Sequence, residues 1–149
     1  MDISPIIQSE IDGLYKELKI LSVIILKKEQ SDLDNIEIRG AALSLSALYN
    51  GIEKVLLDVL KEDDYFIKNE KSWHTLLLKK SVHHNIISEK TFNELKGFLG
   101  FRHFIRHAYS FEINPLTINS ILDRAENLLE TFIREIKNYY MNKPDPVSR

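Results

Sequence analysis

Residues 34–60 read DNIEIRGAALSLSALYNGIEKVLLDVL. Ile38, Ala42, Leu45, Tyr49, Ile52, Leu56 and Val59 recur at alternating steps of four and three, the period of one helix face. Ala41, Leu48, Val55 and Leu60 widen that stripe, and the small residues Gly40, Ala41, Ala42, Ser44, Ser46 and Ala47 permit close contact with another helix. A β-strand would alternate every second residue, and no such alternation occurs here.

The same period continues on both sides. Over residues 3–30, Ile7, Ile11, Leu14, Leu18, Leu21 and Ile25 form a second stripe, with Glu10, Lys16, Glu17, Lys27 and Lys28 on the wet faces. Ser31, Asp32 and Asp34 supply a break and N-capping side chains, so these two long helices are predicted to pair as an antiparallel hairpin. Residues 61–70 are charged and aperiodic, and read as a loop. A short helix is expected over 73–80. Ser88 then caps a fourth helix reaching His107, along which Phe92, Leu95, Phe98, Leu99 and Ile105 are the apolar positions. Gly97 and Gly100 each cost that helix roughly 1 kcal/mol against alanine, which points to close packing or bending there. Asn114 and Pro115 open a last helix over 116–141, with Ile118, Ile121, Ala125, Leu128, Phe132 and Ile136 on its inner face. The expectation is one all-α domain over residues 1–141, an antiparallel bundle of four or five helices, and a disordered tail over 142–149.

Composition narrows the setting. With no cysteine, disulfides and thiolate metal sites are excluded. The apolar runs are too short to cross a bilayer, and the acidic start Met1-Asp2 does not resemble a secretory leader, so a cytoplasmic protein without a membrane partner is expected. There are 20 Lys and Arg against 22 Asp and Glu. A protein gripping long nucleic acid by phosphate contacts usually carries a global basic excess, so any positive field here must be local or assembled from two chains.

One segment concentrates such charge. Residues 101–109, FRHFIRHAY, hold Arg102, His103, Arg106, His107 and Tyr109, and no acidic residue lies between Leu95 and Phe111. The group suits cleavage of a phosphodiester without a metal. Histidine titrates near pH ~6.5 and can move a proton from a ribose 2′-hydroxyl. Arginine can clamp phosphate through two parallel hydrogen bonds. A structural alternative for Arg102 and His107 is a pair that neutralises a helix end. Tyr109 equally fits a tyrosine that buries its ring and exposes its hydroxyl. His74, His83 and His84 lack ligand spacing, so no metal site is read, and without a Gly-rich phosphate loop no nucleotide hydrolysis or cofactor is expected. Asn50 and Glu53 fit the lining of a cleft or a plain polar helix face.

Arg102, polar His103, His107 and then Tyr109, late in a helix before the final long helix, resemble the signature of the HEPN superfamily. The closest resemblance is to the HepT-like toxins of HepT/MntA toxin–antitoxin systems, in which His-x-Tyr follows the arginine. The Ser72-Trp73-His74 helix start is also similar to these toxins. By chance, Arg-x4-His would arise about 0.2 times in such a chain, and about 0.01 times with the tyrosine added. The resemblance implies a homodimeric endoribonuclease with Arg102, His107 and His103 catalytic, and with Lys96 and Arg106 facing RNA from each subunit. It also implies an MNT-type nucleotidyltransferase antitoxin that attaches AMP to Tyr109. The alternative it leaves open is a non-catalytic helical subunit that binds nucleotide or presents substrate to that nucleotidyltransferase.

Overall fold

The computed structural model describes residues 1–65, 72–107 and 113–145, the side chains of 104, 106 and 107 excepted. Five helices follow in chain order: α1 (Pro5–Gln30), α2 (Asn35–Glu62), α3 (Trp73–His83), α4 (Glu89–His107) and α5 (Pro115–Met141). Among the described residues there is no strand, and no helix is long and apolar enough to cross a membrane.

Local chemistry sets the helix starts. Ser4 caps α1 ahead of Pro5, which occupies the first turn where its missing N–H costs nothing. Asp34 and Glu37 form a reciprocal capping box at α2, each accepting the other's backbone N–H at 2.8 Å. Asn114 accepts from Leu116 at 2.9 Å and precedes Pro115. Ser88 caps α4 by accepting from the Thr91 N–H at 3.1 Å.

Two helix ends close without glycine. Asp64 and Asn85 take left-handed backbone angles, φ 58° and 59°. The Tyr65 and Ile86 N–H groups then reach back to the carbonyls of Leu60 and Ser81, both at 2.9 Å, and the Asp64 and Asn85 N–H groups to those of Lys61 and Val82 at 3.1 and 3.0 Å, the paired bonds of a Schellman end. The short third helix accordingly runs to His83 rather than Lys80, and α2 runs to Glu62 before the turn at residues 63–65. Residues 66–70 of the expected loop lie outside the described residues.

Helix α2 is the hub, packing against all four other helices. Its buried residues include every member of the predicted stripe and the widening positions Ala41, Leu48, Val55 and Leu60. Ion pairs fix the directions. Lys27 pairs with Glu37, and Lys54 with Glu10 at 3.6 Å, so α1 and α2 are antiparallel. Lys28 on α1 meets Asp123 on α5 at 2.6 Å, while the Met1 ammonium donates to the Tyr140 carbonyl at 3.0 Å, so α5 is antiparallel to α1. Tyr139 and Lys143 bond Asp63, and Tyr140 bonds Glu62, at the shared C-terminal end of α2 and α5. Contacts thus continue past the end of α5 to Lys143, and residues 146–149 of the expected tail lie outside the described residues.

The small residues divide. Ala41, Ala42 and Ser44 are buried, but Gly40 and Ala47 are exposed. Gly51 makes the close approach: a Cβ there would lie 2.5 Å from Leu14 Cδ2, so α1 crosses α2 directly over it. Gly97 and Gly100 have no described atom within 4 Å of such a Cβ, so among the described residues the expected close packing at those positions is not found. Gly51→Val should therefore lose about 1–3 kcal/mol through overpacking. Gly40→Ala, which has open space around it, should gain up to about 1 kcal/mol from helix propensity. Chemical denaturation of both variants measures this, and a neutral Gly51→Val would refute the close crossing.

Near the same crossing, burial chiefly pushes the Glu10 carboxyl up to about 7, with Asp58 adding to the rise and Lys54 opposing it. A folded-state value above the ordinary 4.5 means the native protein holds this proton while the unfolded chain releases it. Stability from this group is thus lost as pH rises through that window. Glu10→Gln, which cannot ionise, should gain on wild type between pH 4.5 and 7, widening the difference in Tm by about 2–4 °C per kcal/mol. A pH-independent difference would contradict the assignment.

Candidate active site

The three helices around the candidate residues are positioned by their apolar faces. Leu95, Phe98 and Phe101 bury one side of α4, and Arg102 follows Phe101 on the flank of that buried face, half-buried. Leu77 and Leu78 anchor α3 in the same core. Between α2, α3 and α4 opens a cavity of about 370 Å³, lined by Asn50, Glu53, Lys54, Leu57, Asp58 and Lys61 of α2, Trp73 and His74 of α3, and Arg102 of α4.

Its inner wall carries a charged group that burial makes conspicuous. The Glu53 side chain is 5% exposed and meets His74 Nδ1 at 2.6 Å; the His74 side chain is 22% exposed. A carboxylate so placed is costly without a partner, and the imidazole supplies one. The Trp73 ring lies against that of His74, centroids 3.8 Å apart and tilted by 31°, which restrains the imidazole from the other side. One turn before Glu53, the Tyr49 phenol is pushed well above its ordinary range, mainly by burial and then by the Glu53 carboxylate. The Arg102 charge pulls the other way on the same phenol.

The cavity wall thus mixes the cations Arg102, Lys54 and Lys61 with two carboxylates. Glu53 is held by His74, and Lys54 is partnered by Glu10. The Arg102 guanidinium and the Asn50 amide thus line the cavity together with an imidazole–carboxylate pair and an aromatic wall, and they offer donors and a ring face to an anionic ligand carrying a planar ring. Among the described residues no group of three His, Asp or Glu side chains could hold a metal ion.

The residues singled out from sequence fall in different places. Arg102, Asn50 and Glu53 come together around the cavity. His103 is exposed on α4, and Lys96 is exposed with its ammonium 5.4 Å from the Phe92 ring centroid; neither lines the cavity. His107 ends α4, five positions after Arg102 and so about 140° around the helix. The side chains of His107 and Arg106, and Tyr109 altogether, lie outside the described residues. Sequence reasoning missed His74 as a cavity residue, and Lys54 and Lys61 with it. The only signal was the Trp73-His74 helix start, because opposing α3 to α2 is a tertiary event.

His84 stacks on Tyr65 with ring centroids 3.5 Å apart, and so serves packing at the end of α3 rather than the cavity. Comparison with known proteins returns a family model described as HepT-like protein, matching residues 40–142. No curated protein and no solved structure matches the chain. The matched span begins within α2 and ends just past α5, and it contains every residue around the cavity. The all-helical fold and this match agree: the chain belongs to the HepT-like proteins of the HEPN superfamily.

Proposed function

We propose that the protein is an endoribonuclease toxin that cleaves RNA without a metal ion, through Arg102 and His107. The observation that carries this reading is Arg102, the arginine of the Arg-x4-His motif, opening into a cavity large enough for a nucleotide unit and furnished with further cations. In the proposed reaction, Arg102 clamps the scissile phosphate and stabilises the charge gathering on it. His107 transfers a proton as general base or acid, and His103 orients or assists. Attack by the ribose 2′-hydroxyl leaves a 2′,3′-cyclic phosphate and a free 5′-hydroxyl.

A chain with a formal charge of −2 needs a local basic surface to hold RNA. A homodimer supplies it by bringing two copies of Arg102, Arg106 and Lys96 to one groove. Control by a nucleotidyltransferase antitoxin follows from the same chemistry. AMP attached to Tyr109 would set a bulky anion beside that groove and repel the RNA backbone.

Purified protein mixed with RNA in EDTA should produce fragments ending in cyclic phosphate. Arg102→Ala and His107→Ala should each lower the rate by about 100- to 10,000-fold. Expression of the wild-type chain alone should arrest growth, and co-expression of the antitoxin should relieve it. Full cleavage by His107→Ala would overturn the assignment. Harmless expression together with inert purified protein would instead favour a non-catalytic subunit that presents substrate to the nucleotidyltransferase.

A further inference from the structure

The pair formed by Glu53 and His74 has no role in the reaction as assigned to Arg102 and His107. With Glu53 as a carboxylate, which can only accept, the 2.6 Å contact assigns the proton between them to Nδ1 of His74. Nε2, the nitrogen that Glu53 does not hold, then carries the lone pair of the neutral ring. The carboxylate both sets this tautomer and stabilises the imidazolium that forms when Nε2 takes a proton. Trp73 restrains the ring plane from one side. Around the ring, α2 contributes Glu53, Lys54, Asp58 and Lys61, and α4 contributes Arg102. His74 and Arg102, an imidazole and a guanidinium able to bind phosphate, therefore line one cavity.

We propose that His74 is a catalytic residue of the same cleavage, the general base, with Glu53 as its positioning residue. The role rests on the ribonuclease reading above. The 2′-hydroxyl gives its proton to His74 Nε2 as the O2′–phosphorus bond forms. The phosphorus–O5′ bond breaks, and the departing O5′ takes a proton from the His107 imidazolium, which is thereby the general acid. Protons balance between the two rings, and exchange with water resets them.

The test uses the full-length protein and a synthetic RNA oligonucleotide. His74→Ala should lower the cleavage rate by about 100-fold or more, and added imidazole should restore part of it. His74→Gln keeps a donor for Glu53 and so guards against misfolding; it should be as slow as alanine while melting like wild type. Glu53→Gln, whose amide oxygen can still accept from Nδ1, should retain more activity than Glu53→Ala. On a substrate with sulfur in place of the bridging 5′-oxygen, which departs without a proton, His74→Ala should remain slow and His107→Ala should recover. A His74→Ala variant that cleaves like wild type, that imidazole does not rescue, or that the sulfur substrate restores, overturns the base role alone. Wild-type protein that leaves RNA intact overturns the ribonuclease reading and this role together.

Discussion

Packing of helix α2 against all four other helices is the constraint on which the rest of the molecule depends. Thirteen of its residues are buried, more than one neighbour could cover, and α1, α3, α4 and α5 each take a share of them. Full burial of one such aliphatic side chain contributes about 1.5–3 kcal/mol. The consequence for chemistry is that polar residues on α2 cannot all reach water. Glu53 sits on the packed side of the helix one turn beyond Tyr49, and the fold must answer it with His74. The hub that holds the bundle together thereby also places a carboxylate in the wall of a cavity.

Most of this architecture was legible in the residues, because a stripe such as Ile118, Ile121, Ala125, Leu128, Phe132 and Ile136 has one physical solution. All six are buried on α5. The capping side chains of Asp34, Ser88 and Asn114 were likewise readable, since each acts on the backbone three residues away or nearer. Helix ends were less so. Asp64 and Asn85 adopt a conformation that glycine usually marks, and without glycine nothing in the local pattern separates residue 80 from 83 as the end of α3. The glycines misled for the opposite reason. Gly97 and Gly100 are open to solvent, and the close crossing sits at Gly51, whose neighbour Leu14 is distant in sequence.

The site divides along the same line. Arg102 stood out by motif, and Asn50 and Glu53 by their polarity on an apolar helix. His74 belongs with them only because α3 packs across α2, and its neighbours in sequence say nothing about a carboxylate twenty-one positions earlier. Net charge was also a poor guide to local chemistry. A mildly acidic chain gathers Arg102, Lys54 and Lys61 around one hollow while spending much of its acid elsewhere, with Glu37, Asp63 and Asp123 tied to lysines of other segments.

Glu135 of α5 grips the start of α4: its carboxylate accepts the Ser88 N–H at 2.7 Å and the hydroxyls of Ser88 and Thr91 at 3.1 and 2.9 Å. Arg102 lies fourteen residues further along the same helix, about 21 Å away. The helix is thus held twice: Leu95, Phe98 and Phe101 set the azimuth at which the guanidinium arrives, and a carboxylate that never approaches it pins the remote start of the same rod. A change at that anchor would slide or tilt the rod, and the arginine would register it from the opposite pole of the bundle.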